Sequence, residues 1–106
     1  MAKVKVYWTE TSLKAVEAIG DYIAQDAPEK AIEFTDRLLE STSRLEKFPM
    51  SGSICTEDAS CRQVVVAGYR VIYELTERGI EVLTVITPGQ NPNQFKPGSF
   101  RATTSR

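Results

Sequence analysis

RQVVVAGYRVIYELTERGIEVLTVI, residues 62–86, contains the clearest structural signal in the chain. Three runs rich in β-branched and aromatic residues are separated by two short turn signals, Ala67-Gly68 and Glu77-Arg78-Gly79. Runs of this composition are typical of strands, and connections this short join antiparallel neighbours. The stretch therefore predicts a three-stranded antiparallel meander, with strands over residues 63–66, 69–75 and 80–86.

Two amphipathic segments ahead of the meander predict a pair of helices. Thr9, Thr11 and Ser12 offer hydroxyl caps for the first helix, which should run to about Gln25. The step Asp26-Ala27-Pro28-Glu29, with its first residue as the cap, should start a second helix that Pro49 ends. The apolar stripes are Leu13, Val16, Ile19 and Ile23, then Ala31, Ile32, Thr35, Leu38, Leu39, Thr42, Leu45 and Phe48. The short link between the two helical segments predicts an antiparallel helical hairpin, whose apolar stripes cover one face of the sheet.

The two ends of the chain complete an α+β expectation. Residues 3–8 alternate in polarity as an edge strand does, with Tyr7 and Trp8 covering the core or the edge. Residues 50–60 read as a loop, and the sequence after Thr87 has three Pro and two Gly and few aliphatic residues. We expect one domain over residues 1–90, in the order β-α-α-β-β-β with a short antiparallel sheet. An irregular tail should follow over residues 91–106.

Composition narrows the classes of function. The 106 residues carry a formal net charge of −1 and no His, so neither a broad phosphate-binding surface nor the usual proton carrier of neutral pH is expected. Cys55 and Cys61 are too few for a zinc framework, and they are either two reduced thiols or a local disulfide formed on oxidation. No secretory signal or long apolar run is visible. We therefore expect a cytoplasmic chain with no membrane contact, metal or cofactor.

Several segments, taken in this order, resemble the RelE/ParE toxin superfamily of type II toxin–antitoxin modules. They are Ile19-x-x-Tyr22-Ile23, Phe48-Pro49-x-x-Gly52, Arg62-x-Val64-Val65-Val66, Gly68-Tyr69-Arg70-Val71-Ile72-Tyr73 and Ile80-x-Val82-Leu83-x-Val85. The resemblance spans residues 3–92 and implies the fold predicted above. It also implies a cognate antitoxin as partner, bound along the hairpin face and the outer strands. Sequence-specific DNA binding would then be a property of the antitoxin.

The superfamily has two branches with different chemistry. RelE-like members are ribosome-dependent mRNA endonucleases, and a member of that branch would use Arg62, Arg70 and Tyr73 here for catalysis. The loop at residues 50–60, where that branch presents lysines, instead carries two acids and no base. ParE-like members are associated with inhibition of DNA gyrase through protein contact, and the segment Arg62-x-Val64-Val65-Val66 resembles them better. The chain lacks the His and Arg residues that usually follow their last strand, having residues 87–92, TPGQNP, instead.

We therefore expect a ParE-like toxin that acts by binding a protein, with DNA gyrase as the first candidate target. The residues favour a protein that is not an enzyme but leave the question open. The alternatives are a RelE-like endonuclease and a degenerate, non-toxic member of the family. Arg70 either pairs with an acid on a neighbouring strand or contacts a partner. The tail either offers a basic, aromatic contact strip or packs back through Phe95 or Phe100. The candidate contact residues are Arg62, Tyr69, Arg70, Tyr73, Phe95, Lys96, Phe100 and Arg101.

Overall fold

The computed structural model of the chain describes residues 4–89, which form two helices and five strands. The elements are β1 (Lys5–Trp8), α1 (Glu10–Asp26), α2 (Pro28–Lys47), β2 (Ser53–Ile54), β3 (Arg62–Val66), β4 (Tyr69–Leu75) and β5 (Gly79–Ile86). The α+β class, the helical hairpin and the three-stranded meander are confirmed. The predicted tail, with Phe95, Lys96, Phe100 and Arg101, lies outside the described residues.

The five strands form one sheet in the order β1-β5-β4-β3-β2. Strands β3, β4 and β5 pair antiparallel, as predicted, and β1 lies at the edge, but it pairs with β5 in parallel. The expectation of an entirely antiparallel sheet is therefore wrong. Its cause is β2, a two-residue strand that pairs with β3 and that the loop reading of residues 50–60 missed. This strand adds one reversal of chain direction before the meander, so β1 and β5 run the same way.

The main core lies between the helices and one face of the sheet. Its buried members are Ile19, Phe34, Leu38, Leu45, Val66, Val71, Tyr73, Ile80, Val82 and Val85. The predicted stripe of α2 was too wide, because Ile32, Leu39 and Phe48 are exposed and Phe34, absent from that stripe, is buried. The buried positions of α2, residues 34, 38, 42 and 45, step by three or four and so occupy one narrow face.

A second, smaller core lies on the opposite face of the sheet. Neighbouring strand residues point to opposite faces, and Ile72 belongs to this cluster while Val71 and Tyr73 belong to the main core. Residues 55–61, which we call the flap, supply Cys55 and Cys61 to the second core. The remaining members are Leu83 and Ile86. The chain thus buries apolar surface on both faces of its sheet.

The two helices begin in different ways. The Thr9 hydroxyl accepts a hydrogen bond from the Ser12 N–H at 3.1 Å and donates to the Val82 carbonyl at 2.9 Å. It therefore caps α1 and ties that helix start to β5. The predicted cap of α2 is wrong: Asp26 is the last residue of α1, and α2 starts at Pro28 without a side-chain cap. Proline at the first helical position has no N–H, so this helix start has one fewer unpaired donor.

Within residues 4–89, no helix is long and apolar enough to cross a membrane. Over the same residues, no group of three or more His, Cys, Asp or Glu side chains is placed to hold a metal ion.

Candidate partner-binding site

Arg62 and Tyr73 face each other across β3 and β4, and both hold the turn that follows α2. The Arg62 guanidinium donates to the Gly52 carbonyl at 2.7 Å and to the Met50 carbonyl at 3.2 Å. The Tyr73 hydroxyl donates to the Pro49 carbonyl at 2.8 Å and accepts from the Gly52 N–H at 3.0 Å. Both side chains therefore serve the structure of this turn.

Burial of Tyr73 favours the protonated form of its hydroxyl. The side chain is 0% exposed, and burial raises the pKa of its hydroxyl above the usual 10.0. The hydroxyl accordingly stays protonated at neutral pH. Gly52 lies so close that a Cβ there would sit 2.6 Å from both the Tyr73 hydroxyl and the Gln63 carbonyl oxygen. The segment Phe48-Pro49-x-x-Gly52 is explained by this close approach of backbone to ring.

Arg70 lies on the opposite face of the sheet and holds the flap. Its guanidinium donates to both carboxylate oxygens of Glu57, at 2.9 and 3.0 Å, and its Nε donates to the Gln63 side chain at 2.6 Å. The side chains of Arg70 and Glu57 are only 22% and 8% exposed. Arg70 does pair with an acid, but the expectation of a neighbouring strand was wrong. The acid comes from the flap, which folds over this face of the sheet.

The pair should make stability depend on pH. The hydrogen bond from Arg70 holds the pKa of Glu57 below its ordinary value of 4.5. A carboxyl whose pKa is lowered by folding stabilises the fold above its unfolded pKa, and that contribution is lost as pH falls through the folded value. We expect Arg70→Gln to lower the free energy of unfolding by about 2 kcal/mol at pH 7. The difference from wild type should shrink as the pH is lowered below 4.5.

Denaturant unfolding at several pH values measures this difference. Lys14→Gln is the control, because Lys14 pairs with Glu10 at 3.4 Å with both side chains more than 70% exposed. Exposed pairs of this kind contribute little. An equal effect of the two substitutions, or a pH-independent effect at Arg70, would contradict the role assigned to the Glu57 pair.

Tyr69 packs a helix onto the sheet. Its ring is tilted by 57° against Phe34 of α2, with ring centroids 4.9 Å apart. The four strand residues predicted from sequence thus do not converge on one hollow. Arg62 and Tyr73 share the Pro49–Gly52 turn, Tyr69 meets α2, and Arg70 lies on the other face.

A groove with a volume of about 1040 Å³, which we call the α2–β3 groove, lies between α2 and the free edge of β3. Strand β2 pairs only with Arg62 and Gln63, so no strand within residues 4–89 covers the edge of residues 64–66. Phe48, in the groove wall, is 60% exposed, and Val65, whose side chain lies on the other face of the sheet with Arg70, is 63% exposed at the same edge. An uncovered strand edge beside exposed apolar side chains is a surface suited to another chain.

The groove carries positive charge. Its wall contains Arg37, Arg44 and Lys47 against one acid, Glu40. These three residues were not among the candidates predicted from the sequence. Their spacing of seven and three residues was the available signal, since it places all three cations on one side of the helix. The groove can therefore bind a segment that carries both acidic and apolar side chains.

Comparisons with known proteins agree with this architecture. Residues 6–92 match the family described as the ParE toxin of type II toxin–antitoxin systems, parDE. The chain is 31% identical over 88 residues to a protein of Sinorhizobium fredii (strain NBRC 101917 / NGR234) named "Putative toxin Y4kP", with 81% of this chain and 90% of that protein covered. Its fold is similar to a structure titled "Chromosomal ParDE TA system from P. aeruginosa", with a TM-score of 0.71, 17% identity, and 81% and 97% of the two chains covered. The chain belongs to the ParE toxin family of type II toxin–antitoxin systems.

Proposed function

We propose that this toxin acts in the cytoplasm by binding a protein target, DNA gyrase, and that it is not a nuclease. The observation that carries the proposal is the engagement of Arg62, Arg70 and Tyr73 in structural contacts on two faces of the sheet. Cleavage of RNA needs groups that meet at one phosphate and can move a proton there. The buried Tyr73 hydroxyl is engaged by Gly52 and Pro49, Arg70 is neutralised by Glu57, and the chain has no His. A binding surface needs none of this chemistry.

The antitoxin, in this proposal, occupies the α2–β3 groove. A strand added at residues 64–66 would complete the edge of β3, and an amphipathic helix would cover Phe48. Acidic side chains on that segment would face Arg37, Arg44 and Lys47. Sequence-specific DNA binding would belong to the antitoxin and not to this chain.

A supercoiling assay with purified DNA gyrase tests the target. We expect the purified chain to inhibit supercoiling, and the protein encoded by the adjacent reading frame to relieve the inhibition. Messenger cleavage on programmed ribosomes is measured in parallel, with Arg70→Ala as the variant. Cleavage that depends on Arg70, without any effect on gyrase, would replace the proposal with the RelE-like alternative. Normal growth of cells expressing the chain alone would point to a degenerate, non-toxic member.

Charge reversal in the groove should weaken antitoxin binding. We expect Arg44→Glu to raise the dissociation constant for the adjacent-frame protein on the order of tenfold, because it removes an attraction and adds a repulsion. The effect should decrease at high salt. Titration calorimetry at two salt concentrations measures both.

Lys30→Glu is the matched control, because it makes the same charge change on the exposed surface at the other end of α2. It should leave the dissociation constant nearly unchanged. Equal weakening by the two variants would mean that only net charge matters, and the groove would then lose its assignment as the docking site.

A further inference from the structure

The two cysteines of the chain meet at the base of the flap. Cys55 and Cys61 are 2% and 0% exposed, and both belong to the second core. The Cys55 N–H donates to the Cys61 carbonyl at 3.0 Å, while the Cys61 N–H donates to the Asp58 carbonyl at 2.9 Å. The chain therefore leaves the sheet at Cys55, turns sharply, and returns to the same place at Cys61.

This arrangement fits the geometry of a disulfide. Strands β2 and β3 pair Ser53 with Gln63 and Ile54 with Arg62, so the same register continues to Cys55 opposite Cys61. Directly opposite residues of antiparallel strands have Cα atoms about 4.5–5.5 Å apart, and disulfides join Cα atoms about 4.4–6.8 Å apart. Both side chains lie in the second core. We propose that Cys55 and Cys61 form a reversible redox modification site, oxidised to an intramolecular disulfide by a low-molecular-weight disulfide such as oxidised glutathione.

The reaction balances in two exchange steps. One cysteine thiolate attacks a sulfur of oxidised glutathione, which forms a mixed disulfide and releases one glutathione thiolate. The second cysteine thiolate then attacks the protein sulfur of the mixed disulfide and releases the second glutathione. The protein loses two thiol protons and two electrons, and one molecule of oxidised glutathione becomes two of the reduced form.

The flap controls the rate of this reaction. Burial raises the pKa of Cys55 to about 11, so little thiolate is present at neutral pH while the flap is closed. The bidentate bond between Glu57 and Arg70 keeps the flap closed. Oxidation of the wild-type chain should therefore be slow. It should become on the order of tenfold faster when that bond is removed, because opening the flap exposes both thiols.

Oxidation should restrict the movement of the flap. The disulfide closes a ring over residues 55–61, and Glu57 lies within it. The ring limits the conformations that these residues can adopt when the bond between Glu57 and Arg70 is absent. The oxidised flap should therefore be less accessible than the reduced flap, which depends on that bond and on the burial of the two cysteines.

Mass spectrometry of the full chain in glutathione redox buffers tests the proposal. We expect a mass lower by two hydrogen atoms, no retained glutathionyl group, and one proteolytic fragment pair linked through Cys55 and Cys61. Cys61→Ala should stop at the mixed disulfide on Cys55, and circular dichroism confirms that this variant is folded. Stable glutathionyl adducts on the wild-type chain, or disulfides only between two chains, would overturn the proposal. A native chain that stays reduced in buffers that oxidise the urea-unfolded chain would also overturn the proposal.

Two further measurements isolate the flap. Arg70→Gln should speed oxidation and also speed cleavage after Glu57 by a glutamate-specific protease. Prior oxidation of the same variant should return that cleavage to the wild-type rate. Cleavage of the oxidised variant as fast as the reduced one would show that the disulfide does not hold the flap.

Discussion

Gly79→Ala should detach the first strand from the sheet and lower the free energy of unfolding by about 3–5 kcal/mol. Gly79 has φ of +140°, a conformation that residues with a Cβ rarely adopt, and it opens β5 opposite Lys5. A Cβ at this position would lie 2.5 Å from the Lys5 carbonyl oxygen, which is backbone and cannot swing away. The strain and the clash act together. Since a domain of this size is stabilised by about 5–15 kcal/mol, the variant should be marginal.

The chain provides its own reporter and control for this prediction. Trp8, the single tryptophan, lies in β1, so its fluorescence should shift to longer wavelength in folded Gly79→Ala as the strand is released. Gly20→Ala makes the same change within α1, where a Cβ meets nothing within 4 Å. It should stabilise the protein by about 0.5–1 kcal/mol, since alanine is the better helix former. Similar losses at both glycines would show that the backbone at Gly79 is not the cause.

Tyr73→Phe should lower the free energy of unfolding by about 2 kcal/mol although it removes a single oxygen atom. The hydroxyl satisfies the buried Gly52 N–H and the Pro49 carbonyl, and phenylalanine can do neither. The N–H of Gly52 would remain buried without a partner. A loss of this size corresponds to a melting temperature lower by roughly 10 °C for a domain of about 100 residues. Denaturant unfolding and amide hydrogen exchange at Gly52 measure the effect.

Tyr22→Phe is the matched control, because Tyr22 is 71% exposed on α1 and its hydroxyl faces water. It should change the free energy of unfolding by no more than about 0.5 kcal/mol. The comparison also separates a structural from a catalytic role for Tyr73. A catalytic tyrosine would lose activity with little change in stability, whereas a loss of stability with unchanged Gly52 protection would contradict the contacts assigned here.

The elements with strong periodicity could be predicted from the sequence. The runs of Val, Ile and Tyr predicted β4 and β5 nearly to the residue. The start of α1 after Thr9 follows from capping, and the end of α2 before Pro49 follows from the chemistry of proline. Strand β2 could not be predicted, because Ser53 and Ile54 are too few to show an alternation. Without that strand, the sequence led to an expected sheet that was antiparallel throughout, whereas β1 pairs with β5 in parallel.

The candidate site was harder to predict than the fold. Local sequence identifies Arg62, Arg70 and Tyr73 as strand residues but carries no information about the loops that reach them. In the sequence, Glu57 is one of two acids in a loop without a base. Its contact with Arg70, which closes the flap, forms only because the chain folds back across the thirteen positions that separate them. The groove needs three-dimensional information as well, since α2 and β3 are separated by the turn, by β2 and by the flap.

The parallel seam between β1 and β5 affects how the protein is made. Lys5 pairs with Gly79 and Trp8 with Val82, so the first strand synthesised has its partner only when the last one exists. The helical hairpin can form from local contacts as it leaves the ribosome, but the seam requires chain closure over almost the whole domain. Nascent chains must therefore carry an unpaired first strand until β5 has been synthesised, and pairing of β1 is a late step in the folding of this domain.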